Sequence, residues 1–259
     1  MRPLSFIPAF LLLLFGCSKD NSINKIDSDI KINMRETVDS TKRSLQLYCS
    51  TEKVYECSNY VISKIFSKSS ERIEINFTGI RDLTVCFNSF GPATTTIDLG
   101  IISNGTYKLI IEVEGKKSEG KLIVTSDYYK ISLDKEKQLQ IINSTLNRIP
   151  ANTIWGTIGY HKSSTAQLVQ TFIDSLQLFG STTQTYQSGD FGYFQINSSG
   201  QILPPENHGY YFIRPYIYRY SGNTSVLKTL VKNYGTDYGD SLNIILYTTK
   251  GEIFRSWIK

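Results

Sequence analysis

From about Ser44 to Leu133 the chain is a succession of short segments in which apolar and polar residues alternate, separated by turn-forming residues. This pattern limits the fold more than any other feature. Residues that alternate with period two put one side of an extended strand in a core and the other in water. Tyr60 to Phe66 alternates, as does Arg72 to Phe77, where Ile73, Ile75 and Phe77 share a face. Leu83 to Phe87 and Thr94 to Leu99 continue the series. Asn104-Gly105 is a hairpin signal between Ile97–Ile102 and Tyr107–Val113, and Glu114-Gly115-Lys116-Lys117 marks the next turn. Lys121 to Thr125 and Tyr129 to Leu133 complete the set. Residues 44–134 are therefore expected to form an all-β sandwich.

The pattern then changes. Leu139, Ile142 and Leu146 have helical spacing, which predicts a helical linker over 135–149, and Pro150 marks the start of a second unit, 150–259. Thr153 to Tyr160 reads as a strand. Ser164 to Phe179 reads as a helix, with a capping box in Ser164 and Gln167 and Gly180 past its end. Strands are predicted at Phe191–Ile196 and Gly209–Tyr220, then a helix over Thr224–Tyr234 ended by Gly235, then a hairpin of Leu242–Thr248 and Glu252–Trp257. The order β-α-β-β-α-β plus an extra strand is that of a ferredoxin-like α+β sandwich. One detail conflicts: the third strand would be central, yet it holds Pro215, which cannot donate to a ladder.

At the N-terminus, Met1-Arg2 precedes an apolar run from Leu4 to Leu14, too short for a stable span, and Leu14-Phe15-Gly16-Cys17 follows. This resembles a bacterial lipoprotein signal, with residues 1–16 as signal peptide and Cys17 as the lipidated first residue. Residues 17–43 then read as a polar tether. Cys17-Ser18-Lys19-Asp20-Asn21 resembles the start of Bacteroidota lipoproteins. Asp98-Leu99-Gly100 through Asn104-Gly105-Thr106-Tyr107 resembles the last strands of immunoglobulin-like domains in bacterial exported proteins. The resemblance implies an outer-membrane lipoprotein of the cell envelope, held by acyl chains on Cys17, with the surface and periplasmic faces both open. Acylation would leave Cys49, Cys57 and Cys86. An oxidising compartment favours one disulfide. Cys57 with Cys86 is the expected pair, since both lie in or beside strands of one unit, and Cys49 with Cys57 is the alternative.

A formal charge of +5, spread without a basic block, does not suggest nucleic acid as a partner. The 17 Tyr and 13 Phe are more telling, because many fall in one pattern. Strict alternation puts Tyr210, Phe212, Tyr216, Tyr218 and Tyr220 on one side of a strand, with Ile213 and Ile217 on the other, under the helices. Trp155, Tyr193 and Tyr247 on neighbouring strands are expected to share the aromatic side, which the two helices leave uncovered. Three outcomes follow: the first unit or a partner covers the rings, the rings form a ligand face with Arg214 and Arg219 as hydrogen-bond donors, or Pro215 shifts the alternation and scatters them.

There is no Gly-x-Ser-x-Gly elbow, no His-Glu-x-x-His and no phosphate loop. His161, beside Lys162-Ser163-Ser164 at a helix start, is the one residue around which a hydrolase or anion-binding enzyme could be built. His208 sits in a Pro/Gly loop and reads as turn chemistry. No metal or cofactor is expected. The sequence thus reads as an envelope protein with a non-catalytic binding or assembly role, with glycan or protein as partner. The alternatives are the His161 enzyme and a purely structural component.

Overall fold

The computed structural model describes residues 23–83, 86, 89–206 and 209–258. Cys17 and the signal segment lie outside these, as do Thr84, Val85, Phe87 and His208. The first unit contains β1 (Ile23–Asn24), β2 (Ile30–Val38), β3 (Arg43–Tyr55), β4 (Val61–Lys68), β5 (Arg72–Arg81) and β6 (Gly91–Gly100). It continues through β7 (Gly105–Val113), β8 (Lys116–Val124), β9 (Tyr128–Leu133), β10 (Leu139–Ile141) and β11 (Thr145–Asn147). These make one sheet in the order β10-β2-β3-β6-β4-β5-β7-β8-β9-β11, with β1 beside β5.

The sheet curls because its apolar residues lie on one face. Ile32, Leu47, Ile73, Phe77, Ile97, Leu109 and Leu122, drawn from six strands, meet in one core. Register shifts in β3 and in the β4–β5 pair supply local bends. The two halves of the curl join through a single parallel pairing, Val61 with Thr94. Pairs β5–β7 and β10–β2 are also parallel. This differs from the two antiparallel sheets of an immunoglobulin-like sandwich.

Several sequence expectations change here. The segment read as tether contains β2, in which Ile30, Ile32, Met34 and Glu36 are all buried. Ile30, Ile32 and Met34 alternate with polar Lys31, Asn33 and Arg35, a period of two that stops at charged Glu36, so the segment read as polar. The expected helical linker is absent: β10 pairs with β2 and β11 with β9. The edges of the sheet offered these residues a ladder, which outweighed helical spacing. Asn104-Gly105 is not a hairpin, since β6 pairs with β3 and β7 with β5 and β8. The chain there crosses from one half of the curl to the other. The Glu114-Gly115 hairpin does form, both residues having positive φ (47° and 79°) as a tight turn requires. Leu83 and Cys86 belong to no strand, but Cys86 is bonded to Cys57, with Cα atoms 5.3 Å apart. Among the described residues Cys49 is the free thiol, fully buried.

The second unit contains β12 (Thr153–Tyr160), α1 (Ala166–Leu178), β13 (Gly189–Asp190), β14 (Gln195–Ile196), β15 (Phe212–Arg219), α2 (Thr224–Tyr238), β16 (Leu242–Thr248) and β17 (Ile253–Arg255). Its four-stranded antiparallel sheet has the order β15-β12-β16-β17. The predicted strand at 191–196 is not in this sheet; its end pairs with β13 in a small separate hairpin. The order removes the proline conflict, because β15 is an edge strand and its register runs unbroken through Pro215. Helix α1 begins with a 3₁₀ turn at Ser163–Thr165, and no side-chain cap forms there, so the capping box is not used. Helix α2 is capped by Asn223, whose side chain accepts from Ser225 N at 3.0 Å. It runs on past Gly235, which instead lets the helix pack against the backbone of Ser256: a Cβ at Gly235 would lie 1.9 Å from its oxygen.

A buried carboxylate fixes the chain where it leaves the first unit. Glu36 on β2 accepts hydrogen bonds from Tyr129 Oη (2.9 Å), Arg148 Nε (3.1 Å) and the backbone N–H of Ile149 (3.4 Å), with Arg43 at 3.6 Å. Nearby, Gly251 in the β16–β17 turn fits against Val38 and Asp39 of the β2–β3 turn. No helix among the described residues is long and apolar enough to cross a membrane.

Candidate ligand pocket on the open face of the second sheet

Alternation along β12 sorts the rings of the second unit. Ile154, Gly156 and Ile158 face the helices, while Trp155, Thr157 and Gly159 face away. Tyr216 pairs with Gly156 and Tyr218 with Ile154, so both point toward the helices. This is the opposite of the expected arrangement. The bare backbone of Gly156 makes room for Tyr216: a Cβ there would sit 2.7 Å from its hydroxyl. Tyr216 Oη donates to Ile245 O (3.0 Å) and Tyr220 Oη to Asn223 O (2.9 Å). Phe172 of α1 meets Tyr216 and Tyr234 edge-on, at 5.9 and 5.1 Å. Burial holds the Tyr216 hydroxyl well above its ordinary pKa, so it stays neutral. Phe212 pairs with Tyr160 and stacks on it, still partly exposed. Tyr216, Tyr218 and Tyr220 are therefore core, and are withdrawn from the ligand face.

Three of the expected face residues do come together on the other side. Trp155 and Tyr247 are cross-strand partners and stack with ring centres 5.7 Å apart and planes within 10°. Tyr193, from the β13–β14 hairpin, lies 5.4 Å from Trp155 and 6.2 Å from Tyr247. Ile149, Tyr186, Phe191, Phe194 and Val38 seal one end of this cluster against the first unit. The hairpin over 189–196 thus covers part of the open face, and Asn143 Nδ2 donates to Asp190 at 2.6 Å to hold it.

Where the cover stops, a cavity of about 330 Å³ opens. This is near the low end of the range for small-molecule sites, roughly 300–1,000 Å³. Trp155, 3% exposed, forms its floor; Tyr193, Tyr247, Pro204, Pro205 and Pro215 form apolar walls. Its polar groups are few: Thr157, Gln195 and the carboxylate of Glu206, the one acid among the lining residues. Arg35 places its guanidinium 4.5 Å from the centre of the Tyr193 ring. Burial raises the pKa of Tyr247, so its hydroxyl is a neutral donor at physiological pH. Trp155 Nε1 is buried without a hydrogen-bond partner among the described residues, a cost of about 1–3 kcal/mol.

Sequence reasoning found Trp155, Tyr193 and Tyr247 but missed the loop 202–206, which carries no periodic signal. His161 is exposed and does not line the cavity; its ring neighbours are Tyr210 and Tyr211, at 5.3 and 5.4 Å. No group of three or more His, Cys, Asp or Glu suited to a metal occurs among the described residues. Comparisons with known protein families, curated proteins and solved structures return no match.

Proposed function

We propose that the chain is a lipid-anchored cell-envelope protein whose second unit captures a glycan without acting on it chemically. The observation that carries this reading is the Trp155–Tyr247–Tyr193 pocket, three rings around a cavity with a small polar edge. Aromatic faces carry partial negative charge and attract the C–H side of a sugar ring, while Thr157, Gln195 and Glu206 suit its hydroxyls. Glycosidase chemistry generally needs two carboxylates across the bond, and Glu206 has no acidic counterpart in the lining. The exposed position of His161, away from the cavity, likewise favours binding over hydrolysis.

The anchor rests on the resemblance around Cys17, and the outer membrane is its proposed site. The first unit is read as an immunoglobulin-like spacer, modified by its parallel pairs. The second is read as a ferredoxin-like variant. Its β15-α2-β16 segment keeps a split βαβ relation around β12, while the expected second strand is displaced into the covering hairpin.

Affinity electrophoresis through gels containing neutral polysaccharides tests the binding role. Retardation by at least one of them is expected; free migration through all would overturn the glycan reading. Fractionation tests the anchor: the protein should partition with membranes and Cys17→Ala should not, and equal partitioning would contradict lipidation.

A further inference from the structure

The pocket is not the end of the aromatic surface. Two residues beyond Thr157, Gly159 faces the same side of β12. A Cβ on Gly159 would lie 2.4–2.6 Å from three ring atoms of Tyr210, so that ring rests flat on bare backbone. Tyr210 is half-buried, and beside it stand His161 and Tyr211, the latter 81% exposed. The three rings lie together rather than singly, and clustered apolar surface is what marks binding sites. Between the two clusters the same face presents Thr157, and beside the second, opposite Gly159, stands Asn243, both only partly buried. At a strand rise of about 3.3 Å per residue, Trp155 and Gly159 are roughly 13 Å apart. One sugar ring does not span that distance.

We infer that the pocket and the Tyr210–Tyr211–His161 cluster are two ends of one track, and that the ligand is a chain of several sugar residues. This rests on the glycan reading of the pocket and deepens it. The rings at each end take the apolar faces of separate sugars, Thr157 hydrogen-bonds a hydroxyl between them and Asn243 one at the Tyr210 end. A polypeptide ligand is less favoured, because Pro215 denies the edge strand β15 a donor for adding a strand.

The test is a titration of the intact protein with cello-, malto- and chito-oligosaccharide ladders of increasing length, comparing wild type with Tyr211→Ala. Tyr211 is exposed enough that the substitution leaves folding intact, which circular dichroism checks. In at least one ladder, affinity should rise with length and then level off. Tyr211→Ala should weaken the longest members roughly five- to tenfold and leave the shortest unchanged. Binding that is independent of length, or equally affected by Tyr211→Ala at every length, overturns the track and leaves the pocket reading standing. Binding of extended peptides in place of every ladder, or of nothing, overturns both.

Discussion

The two faces of the second sheet are built from the same residue types and do different things. On the helix side Tyr216 and Tyr234 meet Phe172 edge to face, and the Tyr216 and Tyr220 hydroxyls reach backbone carbonyls. On the open side Trp155, Tyr193 and Tyr247 surround a cavity, with an indole N–H lacking a partner and Glu206 at the rim. Aromatic content alone does not identify a site. What separates core from site is whether the polar ends of the rings are already satisfied.

The largest effect that would break this comparison lies on the helix side. Phe172→Ala removes a fully buried ring and should cost about 3–5 kcal/mol in denaturant unfolding. Where the protein remains folded, glycan affinity should not change. A loss of binding in a folded Phe172→Ala protein would mean that the two faces are not independent. Tyr247→Ala should do the reverse. Tyr247 is only half-buried, so the stability cost should stay below about 2 kcal/mol while affinity falls at least tenfold. Calorimetric titration beside thermal melts separates the two quantities.

The smallest effect concerns a sealed group in the first unit. Burial pushes the Cys49 thiol from 9.0 up to about 12. Below pH 9 the thiol is protonated in both folded and unfolded chains, and it adds no pH dependence. Between pH 9 and about 12 only the unfolded chain releases the proton, so stability falls as pH rises, by at most about 1.4 kcal/mol per pH unit. Cys49→Ala should remove that component of the alkaline slope; an identical slope would show that Cys49 ionises freely in the folded state.

Legibility in the sequence followed the strength of local period. Strands β5, β7, β8 and β12, helix α2 and the Cys57–Cys86 pair could be read directly. β2 carried a short period of two at Ile30, Ile32 and Met34, but its next core position is Glu36, a charged residue that sequence alone places in water. β10 was unreadable because its partner β2 is remote in sequence, and β11 because its three residues are too few to show a period. At the site, alternation correctly grouped the tyrosines of β15, but it could not say which face the helices cover. That is decided by Gly156, whose missing side chain admits Tyr216 beneath α1.

Trp155 allows the most direct test, since the chain has only two tryptophans and the other, Trp257, is exposed and lines no part of the pocket. In a Trp257→Phe protein, Trp155 emission reports the pocket floor alone. Titration with a retained neutral oligosaccharide should give a saturable change in emission whose midpoint matches calorimetry. Saturable binding by calorimetry with no change in Trp155 emission would put the ligand elsewhere and contradict the account.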